Sequence, residues 1–202
     1  MNNNYHRKKD PERVQEQLLE AASLIAARDG IASLSLNAVA RQAGVSKGGL
    51  LHHFHGKQEL IHALFSRLLA HMEERIMALM EADPNPEGRF SRAYLMYLAD
   101  IGETDESRQL ALLSLAMPNE MVLRKCWRDW MLGHLAQADE LDRSYVGNLV
   151  RYAADGLWLS ELTEGPTLSQ TERKDLVNRL AEMTQGGRDK SIPSVGNVMG
   201  QE

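Results

Sequence analysis

Cysteine is all but missing. Cys126 stands alone in 202 residues, which excludes an internal disulfide framework and a thiolate metal site built from this chain's own cysteines. The residue itself reads as a small buried apolar side chain. No stretch approaches the roughly 18 consecutive apolar residues of a membrane span. The opening MNNNYHRKKD has none of the apolar core of a signal peptide, so a cytoplasmic protein is expected. Strand-like alternation persists nowhere, which points to an all-α fold. Also lacking are a Ser/His/Asp set, a phosphate-binding glycine loop and a paired-carboxylate signature, and an enzyme is the weakest functional reading. What is present is ordinary globular composition, 43% apolar and 25% charged.

The formal charge of −5 is unpromising for a nucleic-acid binder until it is divided along the chain. Residues 1–60 carry eight Lys/Arg against six Asp/Glu, and the remainder carries fifteen against twenty-two. The basic excess is therefore N-terminal. Arg7, Lys8 and Lys9 precede the first helix and form either a phosphate-binding arm that reaches the minor groove or a solvated, flexible one.

The first helix is expected to open at Asp10-Pro11, an acceptor followed by proline. Val14, Leu18, Ala22 and Ile25 then recur at helical spacing up to a stop at Asp29-Gly30. Ser35 is placed to cap a second helix over 36–43, and its hydroxyl can also meet a phosphate. The stretch LNAVARQAGVSKGGLLHHF, residues 36–54, then brings two short helical patterns together at Ala43-Gly44-Val45-Ser46. Ala40 allows a close helix crossing, Gly44 suits a turn conformation that side chains resist, and Val45 and Leu50 pin the second helix to the first. This pattern predicts a helix-turn-helix, whose second helix enters the major groove of DNA.

That recognition helix is expected to run from Ser46 as N-cap to about His53. Leu50 and Phe54 face inward; Lys47, Gly48, Leu51, His52 and His55 face outward. A cation in the first turn meets the positive end of the helix dipole, so Lys47 makes more sense as a DNA contact. Gly48 and Gly49 each cost roughly 1 kcal/mol against alanine in a helix, which fits either close approach of bare backbone to the groove or flexibility that tightens on binding. His52 and His53 lie about 100° apart on a helix and have no Cys or carboxylate at ligand spacing, so no metal site is expected; imidazoles here can donate to phosphate or a base edge.

From Gly30 through SLSLNAVARQAGVSKGGLLHHFHGKQELIHALF, the chain resembles the N-terminal domain of the TetR family of transcriptional regulators. The shared features span roughly residues 10–65: the start of the second helix, the A-G-V-S-x-G turn, the aromatic closing the recognition helix and the lysine opening a long fourth helix. One departure stands out. The family commonly has a tyrosine, often a phosphate contact, where this chain has Leu51, so that contact is lost and His52 or His53 takes its place. The resemblance implies a dimeric repressor that binds double-stranded DNA through an N-terminal domain and lets go when a small molecule enters a C-terminal helical domain.

The rest of the sequence is compatible with that. A fourth helix from Lys57 to Asp83-Pro84 carries Leu60, Ile61, Leu64, Leu68, Met72, Ile76 and Leu79 on one side, long enough to connect two domains mechanically. Further helices are expected near 88–101, 106–117, 119–138, 142–164 and 169–185. The expected division is a DNA-binding domain over 1–56, a ligand-binding and dimerisation domain over 57–186, and a disordered tail over 187–202. Tyr94, Met96, Tyr97, Met117, Met121, Trp127, Trp130 and Met131 are candidates to line a pocket for an apolar or aromatic ligand, or they form an ordinary packed core. Arg124, Arg128, Asp100 and Asp155 are candidate polar anchors. In the resembling family the last two helices make a four-helix dimer seam, and here Leu149, Tyr152, Ala153, Ala154, Gly156, Leu157, Leu162, Leu168, Leu176, Leu180 and Met183 would supply it; packing within the chain is the rival.

The leading expectation is a ligand-responsive repressor with no cofactor. In it Lys47, His52 and the glycines read DNA, while Ser35, Lys57 and the Arg7–Lys9 arm hold phosphates. The second keeps DNA binding and replaces the small molecule with a protein partner.

Overall fold

A computed structural model describes residues 11–101 and 104–185; the Arg7–Lys9 arm, the Asp10 cap and the 187–202 tail lie outside the described residues. Helices form where the sequence places their punctuation. The helices are α1 (Pro11–Asp29), α2 (Leu36–Gln42), α3 (Lys47–His53), α4 (Lys57–Ala82), α5 (Arg89–Ala99), α6 (Asp105–Ser114), α7 (Met121–Gln137), α8 (Glu140–Arg143), α9 (Tyr145–Glu164) and α10 (Gln170–Met183), with a 3₁₀ turn at Ile31–Ser33. Among the described residues there is no strand, and no helix is long and apolar enough to cross a membrane.

Side-chain caps account for many of the starts. Ser35, Ser46, Thr104, Asp139, Ser144 and Ser169 each accept a hydrogen bond from a first-turn amide, satisfying donors that have no partner inside the helix. Thr104 with Ser107 and Ser169 with Glu172 complete reciprocal capping boxes. The turn expected around Asp139–Asp142 is itself the four-residue helix α8, and α6 ends at Ser114, three residues earlier than its pattern suggests.

The helices pack into two compact units that interleave in sequence. Of the described residues, the first gathers those up to Ala78 with those between Asp100 and Gln137; the second gathers Leu79–Ala99 with those from Ala138 on. Packing thus groups α6 and α7 with the N-terminal helices.

In the first unit the core is apolar. Leu18 and Ala22 of α1, Val39 of α2, Leu50 of α3, and Leu64, Phe65 and Met72 of α4 are sealed from solvent. Ser23 of α1 hydrogen-bonds Gln109 of α6, and Glu16 pairs with Arg67 of α4. In the second unit α5 packs chiefly on α9, and α10 packs on both. Here charged groups go inside. Arg92 donates to the Asp83 carboxylate at 2.7 Å, to the carbonyls of Asn85 and Glu87 at 2.8 and 2.6 Å, and to the Thr184 carbonyl. Asp142 accepts the amides of Phe90 and Ser91 at 3.1 and 2.8 Å, capping the start of α5 from 51 residues away in sequence. Arg151 donates to the Ser91 hydroxyl and to the Asp142 carbonyl at 2.6 and 2.8 Å. Gly147 lets α9 begin against this corner, since a Cβ there would lie 2.4 Å from the Asp142 carbonyl oxygen.

Candidate nucleic-acid interface

The turn between α2 and α3 is fixed by backbone chemistry. Gly44 has φ +66°, a left-handed conformation that favours glycine. The Val45 amide donates back to the Ala40 carbonyl at 2.9 Å, and Ala40 itself is buried, so the small side chain sits where the chain turns back. Ser46 then caps α3 by accepting from the Gly49 amide at 3.0 Å. A Cβ on Gly49 would meet the Val45 side chain at 2.9 Å, whereas one on Gly48 would meet nothing within 4 Å. A side chain at Gly49 would therefore displace Val45, while Gly48 presents bare backbone outward.

With roughly 100° between successive helical residues, α3 sorts into two arcs. Setting Lys47 at zero puts Leu51 at about 40°, Gly48 at about 100° and His52 at about 140°, and all four are exposed. Leu50 lies on the opposite arc and is 0% exposed, with Phe54 beyond the helix end at 2%. Gly49 and His53, at about 200° and 240°, are half-buried. The rings of His52 and His53 meet edge-on, centroids 5.5 Å apart. His55 lies past the end of α3, where its ring nitrogen contacts the Glu59 carboxylate at 2.9 Å and its amide donates to the same oxygen. The amide and ring of His55 together hold Glu59 below the usual carboxylate range. Among the described residues no group of three or more His, Cys, Asp or Glu side chains is arranged to hold a metal.

Around this face Ser35 is exposed and caps α2 by accepting from the Ala38 amide at 3.2 Å. The Lys57 ammonium donates to the Ala32 carbonyl at 3.3 Å; an ammonium has three donors, so a phosphate can still be met. Pro11, Val14, Val45, Ser46, Gly48, Gly49, His52 and His53 line a surface cleft of about 610 Å³ beside α3.

The pocket candidates fall in both units. Tyr94 is fully buried and donates to Asp155; Tyr97 is also buried, and Met96 is half-buried. In the first unit Met117, Trp127, Trp130 and Met131 are half-buried, but Met121 is 74% exposed at the start of α7. Trp130 lines a cleft of about 440 Å³ where α4 faces α7, together with Ser66, Leu69, Glu73, Val122 and Cys126. Glu73 accepts there from the Trp130 indole at 2.8 Å and contacts the His134 ring at 2.6 Å, and the Trp130 and His134 rings lie 4.6 Å apart. Glu73 and His134 carry no signal in the sequence, because Glu73 reaches Trp130 and His134 across 57 and 61 residues. Of the polar anchors considered, Asp100, Arg124 and Arg128 are exposed, and Asp155 is half-buried against Tyr94.

On the last two helices and the loop between them, which holds Leu168, Ala154, Leu157 and Leu180 are buried within the chain, whereas Tyr152, Leu162, Leu168, Leu176 and Met183 are exposed, Tyr152 at 71%. Tyr145 and Leu159, absent from the sequence pattern, extend this exposed apolar set.

Two short capped helices joined through a left-handed glycine, the second turning a basic, glycine-bared face outward, define a helix-turn-helix DNA-binding protein. The comparisons with known proteins narrow that class. Residues 18–64 match the family described as Bacterial regulatory proteins, tetR family, and residues 88–185 match Tetracyclin repressor-like, C-terminal domain. The chain belongs to the TetR family of transcriptional regulators. It is similar to the HTH-type transcriptional regulator BetI of Yersinia pestis (strain Pestoides F), 26% identical over 184 residues, covering 83% of this chain and 90% of that one. With the HTH-type transcriptional regulator AcrR of Shigella flexneri it shares 22% identity over 137 residues, 68% of this chain but only 59% of the length of AcrR. Among solved structures, the multidrug binding protein EbrR complexed with imidazole superposes with a TM-score of 0.64 at 25% identity, covering 85% of this chain and 90% of that one.

Proposed function

We propose that this regulator is a cytoplasmic repressor that binds a double-stranded DNA operator as a homodimer and is released by a small apolar or aromatic molecule. The observation that carries the reading is the outward arc of α3, where Lys47, Leu51 and His52 surround the bare Gly48. In this reading Lys47 and His52 read the groove, while Ser35, Lys57 and the Arg7–Lys9 arm hold phosphates. Residues 1–56 act as the DNA-binding domain and 57–186 as the ligand-binding and dimerisation domain. The exposed Tyr152, Leu162, Leu168, Leu176 and Met183 support a dimer through α9 and α10. Gly156 supports it further: it is exposed, and a Cβ there would meet nothing within 4 Å, so a second backbone can come close. The cleft walled by Trp130 and the likeness to EbrR, a multidrug binding protein, support a small-molecule effector.

The test selects duplexes from a randomised library with the full chain, then titrates metabolites and drugs by calorimetry and adds those that bind to the protein–DNA complex. Enrichment of a two-half-site sequence, followed by release on adding a ligand, is expected. Retention of the operator with every small molecule tested would favour control by a protein partner instead.

A further inference from the structure

Leu51 is not one of the residues that seal α3 against the rest of the fold. Leu50 and Phe54, at 0% and 2% exposure, do the packing of α3, while Leu51 is 37% exposed. Its place is the middle of the outward arc, one turn after Lys47 and between Lys47 and Gly48 around the helix axis. Gly48 has no side chain, and the space a Cβ would take is empty to 4 Å, so on the Gly48 side no side chain holds a base edge away from Leu51. The major-groove edges of the four bases offer hydrogen-bonding atoms throughout and one apolar group, the 5-methyl of thymine. An isobutyl side chain can neither donate nor accept. It gains from the groove only by covering that methyl.

We infer that Leu51 is a specificity-determining residue that reads thymine by apolar contact with its 5-methyl group. The inference rests on α3 being the DNA-reading helix. A base contact of this kind adds discrimination at one base pair of each half-site rather than sequence-independent affinity.

The experiment uses the duplex enriched from a randomised library by the full chain. Each thymine is replaced by deoxyuridine, symmetrically in both half-sites and one position at a time, so that only a methyl group is removed. One position is expected to lower affinity by about fourfold per half-site, the worth of one buried methyl. Leu51→Ala is expected to bind the thymine and deoxyuridine duplexes equally. Enrichment with no deoxyuridine-sensitive position overturns the role of Leu51, as does Leu51→Ala keeping the wild-type sensitivity. Failure to enrich any duplex overturns the DNA-binding reading beneath it, and the inference with it. The scan on the wild-type chain alone can reject the inference, independently of how any variant folds.

Discussion

The two compact units handle charge in opposite ways. Among the described residues, the buried polar residues of the first are Ser23 and Ser107, beside one buried nitrogen of the half-buried Arg67, whereas the second buries Arg92, Asp142 and Arg151 together with Ser91 and Thr184. The first unit holds itself together by apolar contact and keeps Lys47, His52 and Lys57 at or near its surface, where charge can meet phosphate. The second takes charged groups inside and satisfies each through several hydrogen bonds. A buried ion pair gains little net stability over apolar packing, because desolvation offsets attraction, but it tolerates few alternative geometries. The difference therefore separates a surface that works by exposed charge from an interior whose arrangement is set by buried charge.

Breaking the second kind should have the largest effect. Arg92→Ala leaves the Asp83 carboxylate and the carbonyls of Asn85, Glu87 and Thr184 without their donor, and a loss of about 3–5 kcal/mol is expected in denaturant unfolding. A loss of less than about 1 kcal/mol, the scale of an exposed pair, would erase the contrast between the units.

A smaller effect concerns Asp155. Burial raises its carboxyl above the ordinary value, and the Tyr94 hydroxyl, the Trp158 side chain and the Arg151 charge only partly pull it back. A group whose folded pKa is raised stabilises the fold below its unfolded value, near 3.9, and loses that contribution as pH rises through the folded value. Asp155→Asn abolishes this dependence. Relative to wild type, the variant should therefore gain unfolding free energy as pH rises from about 4 to neutrality; a difference that is flat across this window would show that burial does not raise the Asp155 carboxyl.

How much of the molecule is legible in the sequence follows from the range of the interactions. The boundaries of α1, α2 and α3 rest on signals a few residues apart, namely Ser35, Ser46, Gly44 and the spacing of Leu18, Ala22 and Ile25, so the sequence displays them. The outward placement of Lys47, Leu51 and His52 follows from the same local period. That period does not extend to His55, because Glu59 binds it after the helix has ended. The charged interior leaves no periodic trace: Asp142 reaches Phe90 across 52 residues and Arg92 reaches Thr184 across 92. The same holds for the aromatic and methionine candidates. Their composition suggests a pocket, but only through-space packing separates the sealed Tyr94 from the exposed Met121.

If α3 reads DNA with side chains the fold does not need, replacing Lys47 must separate binding from stability. Operator affinity in a mobility-shift titration and melting temperature should be measured together for wild type and Lys47→Ala. The expected result is a loss of about 1–3 kcal/mol in binding with a change in stability within about 0.5 kcal/mol, as for other surface substitutions. Unchanged retention of the operator by Lys47→Ala would contradict the assignment of this helix face.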